Sequence, residues 1–116
     1  MKALNFYSSV YQANLVVRNK CCTIRLGDKR EKYQEGDLVW ITYGDRFCPR
    51  KKIFTAVLDR VVYKTVAELT VEDLAAENPD MQSAADAAEF LGSIYGQPVS
   101  ANTPVTVIYF SEVVDD

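Results

Sequence analysis

Apolar and polar positions along this chain alternate in some stretches and recur every three to four residues in others, and the change of period marks its elements. Leu4-Asn5-Phe6-Tyr7 reads as a short first strand, after which Ser8 or Ser9 caps a helix running to about Arg18, with Val10, Ala13, Asn14 and Val17 along one side. Cys22, Ile24 and Leu26 then alternate with Cys21, Thr23 and Arg25, which predicts a strand. Its apolar face suits a core, and its other face offers Thr23 and Arg25 to a cleft with Lys20 at the mouth. Gly36-Asp37 is a turn signal that opens the β-prone run Leu38 to Tyr43. Pro49 breaks the chain before a long extended stretch from Lys52 to Lys64.

The second half changes character. Thr70 caps a helix whose first turn is acidic, and Pro79 forces it to end by Asn78. Ser83 starts a second helix carrying Ala84, Ala87, Ala88, Leu91, Ile94 and Tyr95 at helical spacing, closed by Gly96 and Pro98. Pro104 to Phe110 alternates Val105, Val107 and Tyr109 with Thr106, Ile108 and Phe110, the pattern of a strand buried on both sides. Strands, two helices and a final strand predict an α+β domain on a curled sheet. With no repeat, low-complexity tract or interior linker, residues 1–116 read as a single domain.

Composition narrows the chemistry. The 116 residues are 48% hydrophobic and 25% charged, ordinary globular values for a modest core. There is no histidine, so the commonest general base and metal ligand are both missing. Three cysteines, two of them adjacent, make neither a usual zinc site nor a good disulfide, and point to a reducing cytoplasm. No metal and no cofactor is expected, and no apolar run is long enough to span a bilayer. The net charge of −3 argues against a general polynucleotide binder, yet it conceals a split. Residues 1–64 carry all 13 Lys and Arg with 6 acids, while residues 65–116 carry 10 acids and no base. Lys29-Arg30-Lys32 and Arg50-Lys51-Lys52 could meet phosphates, although solvated turns and charged sheet edges look the same in sequence. Tyr33, Tyr43 and Trp40 could stack on a base, but aromatics also form strands, and Trp40 is expected in the core.

The run Lys20-Cys21-Cys22-Thr23-Ile24-Arg25, answered later by Glu77-Asn78, gathers an amine, a hydroxyl, a guanidinium and a carboxylate. Acyl transfer needs a hydroxyl beside a base, though each of these residues is common in purely structural settings. On these residues the chain resembles ASCH domains of the PUA-like superfamily, whose Gly-x-Lys, four residues, then Arg signature finds Lys20 and Arg25 in place. Within that family it is most similar to the small amidohydrolases that remove the acetyl group of N4-acetylcytidine. Those carry Lys-x-x-Thr-x-Arg and then Glu-Asn at the end of a short helix, matched here by Lys20, Thr23, Arg25 and Glu77-Asn78. Thr23 discriminates, since many other ASCH domains have Glu at that position. The family's Gly falls on Arg18 here, a departure in the loop that presents Lys20.

The resemblance runs from about Leu4 to Phe110 and implies a PUA-like β-barrel of about five or six strands with flanking helices. It implies Lys20, Thr23 and Glu77 as catalytic residues, with Arg25 and Asn78 binding a nucleoside substrate. Thr23 would attack the amide carbonyl or hold the attacking water. Lys20 would be the base, provided that burial and Arg25 lower its affinity for protons. The competing expectation is a module that binds RNA without hydrolysis. RNA cleavage ranks lowest, because it would fall to Lys20 or Glu77 without a histidine.

Overall fold

The structure, a computed structural model, describes residues 1–6, 15, 21–44 and 48–114. The helix read across Ser8 to Arg18 falls outside those residues except for Leu15, which is buried in the core.

The strand-prone runs form β1 (Lys2–Phe6), β2 (Cys22–Leu26), β3 (Leu38–Tyr43), β4 (Lys51–Thr65) and β5 (Pro104–Glu112). They make one sheet in the order β1-β3-β4-β5-β2. β1 and β3 run parallel, and every other pair is antiparallel. β1 and β2 are therefore the two edges of the sheet. Even so, Arg25 of β2 donates from Nη2 to the carbonyl oxygen of Asn5 in β1 at 3.0 Å. Only a sheet curled most of the way round brings its edges so near, and the result is the half-barrel of an α+β domain.

A bulge in β4 decides which residues meet the helices. Before it, Phe54, Ala56 and Leu58 face the inside of the curl, where they join Leu4, Phe6, Val39, Ile41, Ile108 and Phe110. The register against β5 then shifts between Leu58 and Arg60. A one-residue insertion inverts the alternation, so Arg60, Val62 and Lys64 share the outer face with Val105, Val107 and Tyr109. β5 is buried on both sides, as its pattern predicts.

The helices cover that outer face. A 3₁₀ turn at Val66–Glu68 leads into α1 (Val71–Glu77), and α2 (Ala84–Tyr95) follows. Thr70 and Asp73 close α1 with a reciprocal capping box: Asp73 N donates to Thr70 Oγ1 and Thr70 N to the Asp73 carboxylate, each at 3.0 Å. Ser83 caps α2 by accepting from Asp86 N at 3.2 Å, and Gly96 ends it with φ of 66°, a left-handed conformation that glycine adopts without strain. Leu74, Ala87 and Leu91 from the helices meet Cys22, Ile24, Leu26, Val105 and Val107 of the sheet in a second core. Among the described residues no helix is long and apolar enough to cross a membrane.

Candidate functional site

The hydrogen-bond register of β2 fixes what its free edge can offer. Phe110 N donates to Cys21 O and Gly27 N to Pro104 O, both at 2.9 Å. Odd-numbered residues of β2 thus exchange backbone bonds with β5, and even-numbered amides point to the open edge. The Ile24 amide is one of these, and the carboxylate of Glu77 meets it at 2.7 Å. Glu77 is the last residue of α1 and only 1% exposed. Pro79 contributes to its placement, because Asn78 leaves helical geometry at φ −156° and ψ 116° and ends the helix there.

Thr23 precedes Ile24 and points to the opposite face, toward the inside of the curl, where it is 3% exposed. Its Oγ1 accepts a hydrogen bond from Arg25 Nε at 2.9 Å. The same guanidinium reaches Asn5 O and lies 4.8 Å above the centre of the Phe6 ring. The strand expected to turn a polar face to an open cleft instead encloses Thr23. Arg25 spends Nε and Nη2 on protein partners, binding Thr23 and closing the seam between the sheet edges. Asn78 is buried, with its side-chain oxygen accepting from Asp80 N at 3.0 Å in the following turn. Lys20, together with Arg18 and Asn19, lies outside the described residues. The fold therefore brings Glu77 to the residue beside Thr23 and sets Arg25 on Thr23, while Asn78 serves its own loop.

A second group of polar side chains surrounds α1, and sequence reading identified only part of it. Asp73, one turn before Glu77, is 4% exposed. Its Oδ2 accepts from Lys64 Nζ at 2.8 Å and its Oδ1 from the Tyr109 hydroxyl in a short hydrogen bond. Burial pushes the Asp73 carboxyl toward the neutral form, but the bonds from Lys64, Tyr109 and the Thr70 amide outweigh it and hold the pKa below the usual value. Burial, and then the bond to Asp73, raise the Tyr109 phenol well above its ordinary pKa. Arg60 stacks 5.3 Å over the outer side of the Tyr109 ring. In the sequence Asp73 reads only as an acid in the first turn after the Thr70 cap; the structure makes it the other half of the capping box. Its partner Lys64 is hidden by a bulge in β4 that no periodicity announces.

No family model matches this sequence, and no curated protein does. Solved structures do match. The ASCH domain from Lactobacillus crispatus JV V101 aligns over 96% of this chain and 78% of its own, at 19% identity and a TM-score of 0.69. A protein from Enterococcus faecalis V583 of the DUF984 family aligns over 97% and 80%, at 15% identity and a TM-score of 0.67. The fold is that of an ASCH domain. At these identities the likeness is one of architecture, and it agrees with the small PUA-like barrel of five or six strands expected from the sequence, here a five-stranded half-barrel.

On the outside of this ASCH fold, several aromatic expectations change. Tyr33 is not available for stacking, because it is buried in the first core with its hydroxyl donating to Ala3 O at 3.0 Å. Trp40, expected inside, is 42% exposed on the outer face of β3, where alternation with Val39 and Ile41 turns it to solvent. Lys52 Nζ sits 5.5 Å from its ring centre, and Arg50 and Lys51 beside it are exposed. The other basic cluster is partly consumed locally, since Arg30 pairs with Asp28 at 2.7 Å and stacks on Tyr63. Among the described residues no three His, Cys, Asp or Glu side chains converge on a common metal position.

Proposed function

We propose that this protein is an amidohydrolase that removes the acyl group from the exocyclic amine of a cytosine nucleoside, N4-acetylcytidine or a close relative. The observation that supports this reading is the docking of Glu77 on the Ile24 amide, next to Thr23, whose hydroxyl is bonded to Arg25. Residues distant in sequence meet on one short strand, in the order that the family resemblance requires.

The chemistry is economical. Either Thr23 Oγ1 bonds to the amide carbonyl carbon and gives its proton to a base, or a water held by Thr23 does so in its place. The C–N bond then breaks and the departing amine takes a proton to leave as cytidine; the acetyl group leaves as acetate, at once in the water route and after a water cleaves the acetyl–Thr23 ester in the direct one. A guanidinium donating to the Thr23 oxygen favours its negative form, the more so in a site shielded from water. Lys20 is the base in this reading and Glu77 handles or orients the proton, with Asn78 behind it at the helix end. No disulfide joins Cys21, Cys22 and Cys48, which suits a cytoplasmic setting. Purified protein incubated with N4-acetylcytidine should release cytidine, and Thr23→Ala and Lys20→Ala should both abolish the release. Wild-type protein no faster than these variants ends the assignment.

One observation favours a second reading, a module that binds RNA without hydrolysis. An exposed Trp40 with Lys52 over its ring and two further cations alongside is a surface on which an unpaired base can stack while its phosphates meet charge.

A further inference from the structure

We infer that Asp73, Tyr109 and Lys64 are positioning residues for Glu77, and that their buried network sets where the Glu77 carboxylate stands against β2. α1 has seven residues, about two turns, too few to be stable alone. Its orientation must come from what it touches. Asp73 and Glu77 are four residues apart, so they share one face of the helix, one turn above the other. Each carboxylate reaches the sheet at a different place: Glu77 at the Ile24 amide on the edge of β2, Asp73 at Tyr109 of β5 and Lys64 of β4. With a side-chain radius of about 5–6 Å, turning the helix by about 20° moves a tip at its surface by roughly 2 Å. That is enough to break the 2.7 Å contact at Ile24.

The donors to Asp73 resist such a turn because they come from rigid elements. Lys64 and Tyr109 are on paired strands: Tyr109 faces the helix by the regular alternation of β5, and Lys64 joins it there because the β4 bulge has inverted the alternation. The third donor, the Thr70 amide, ties the same carboxylate to the start of its own helix. Asp73 thus links the capping of α1 to its docking, and Glu77 inherits its position from that joint.

Tyr109→Phe tests the inference, since it removes one donor and leaves Asp73 bonded to Lys64 and Thr70. Exchange of the Ile24 amide proton should quicken roughly tenfold, the worth of a hydrogen bond to a carboxylate, while amides of central β4 keep their rates. Lys64→Met should act in the same direction. The functional consequence rests on the amidohydrolase reading: kcat falls about tenfold with KM nearly unchanged, and Tyr109→Phe adds nothing when combined with Glu77→Gln. An Ile24 amide indifferent to both single variants overturns the inference, as do losses that simply add in the double variant. Wild-type protein without hydrolase activity retires the reading and leaves the Ile24 exchange rate to decide the inference alone.

Discussion

The carboxylate of Glu77 and the amide of Ile24 meet at 2.7 Å although 53 residues separate them along the chain. The contact satisfies an edge amide of β2 that would otherwise be buried without a partner, and it fixes the end of α1 on the sheet. Glu77→Ala should therefore cost about 2–4 kcal/mol, the sum of an orphaned donor and a small cavity. Glu77→Gln keeps an acceptor oxygen in place and should cost about 1–2 kcal/mol, both read from urea unfolding. If the carboxylate also handles a proton, Glu77→Gln stays folded and still loses about 10² or more in deacetylation rate. A fully active Glu77→Gln variant would restrict this residue to structure.

Arg25 does two jobs at once, and substitutions separate them. Arg25→Lys keeps the charge but lacks the planar fork that reaches both Thr23 Oγ1 and Asn5 O, and it stacks less well on Phe6. A loss of about 1–2 kcal/mol in stability is expected. Thr23→Val preserves shape, removes the acceptor for Arg25 Nε, and should cost about 1 kcal/mol while abolishing cytidine release. Thermal unfolding and the release assay on the same preparations provide both readings. Intact hydrolysis by Thr23→Val would exclude the hydroxyl from the reaction.

The sequence made most elements legible because their periods are clean. β3 spans Leu38 to Tyr43 as expected, and both described helices begin after the caps read from Thr70 and Ser83. β4 runs slightly beyond its expected ends, Lys51 to Thr65 against Lys52 to Lys64. The bulge at Asp59 escaped, since one added residue in a stretch of Val, Leu and Arg leaves no compositional mark. With it escaped Lys64 as a partner of Asp73, since simple alternation from Phe54, Ala56 and Leu58 puts it on the inner face. Trp40 was misplaced for a different reason: its size suggests burial, but its neighbours Val39 and Ile41 already occupy the inner face. Thr23 and Glu77 are candidates through resemblance alone, because no local pattern connects a strand residue with a helix end so far along the chain.

Acid and alkali should act on the Asp73–Tyr109 pair from opposite ends. The native Asp73 carboxyl has a lowered pKa, so its stabilising contribution is complete above the ordinary carboxylate value of about 3.9 and fades as pH falls below it. The native Tyr109 phenol has a raised pKa, so its contribution is complete below about 10 and fades as pH rises above that. Urea midpoints measured across pH should show an acid limb that flattens in Asp73→Asn and an alkaline limb that flattens in Tyr109→Phe. Limbs of equal slope in wild type and variants would mean that other groups dominate the pH response.

Gly44 marks a place where the backbone tolerates no side chain. A Cβ there would stand 2.9 Å from Pro49 O and 3.0 Å from Arg50 Cα, both main-chain atoms with no rotamer to retreat into. Gly44 N also donates to Phe6 O at 3.1 Å, and its carbonyl accepts from Asn5 Nδ2 at 3.1 Å, so moving away breaks the link between β1 and the end of β3. Gly44→Ala should destabilise by about 1–3 kcal/mol, whereas Ala at exposed Ser93 should change little. Equal unfolding midpoints for the two variants would show that the loop gives way freely.

Trp40 separates the two functional readings. Its ring is exposed and its strand neighbours carry the core, so Trp40→Ala should leave the fold intact with a small change in stability. If RNA binds across β3 and β4, the variant loses stacking worth about 1–3 kcal/mol per base, and affinity drops by roughly 10–100-fold. Lys52→Ala should instead lower the dependence of binding on salt, by about 0.7 in the logarithmic slope for one phosphate contact on a single strand. Titration of single-stranded RNA at low and moderate salt measures both effects. Binding that ignores Trp40 would move any RNA interaction to another face, and no binding at low salt would leave only the small-molecule reading built on Thr23 and Glu77.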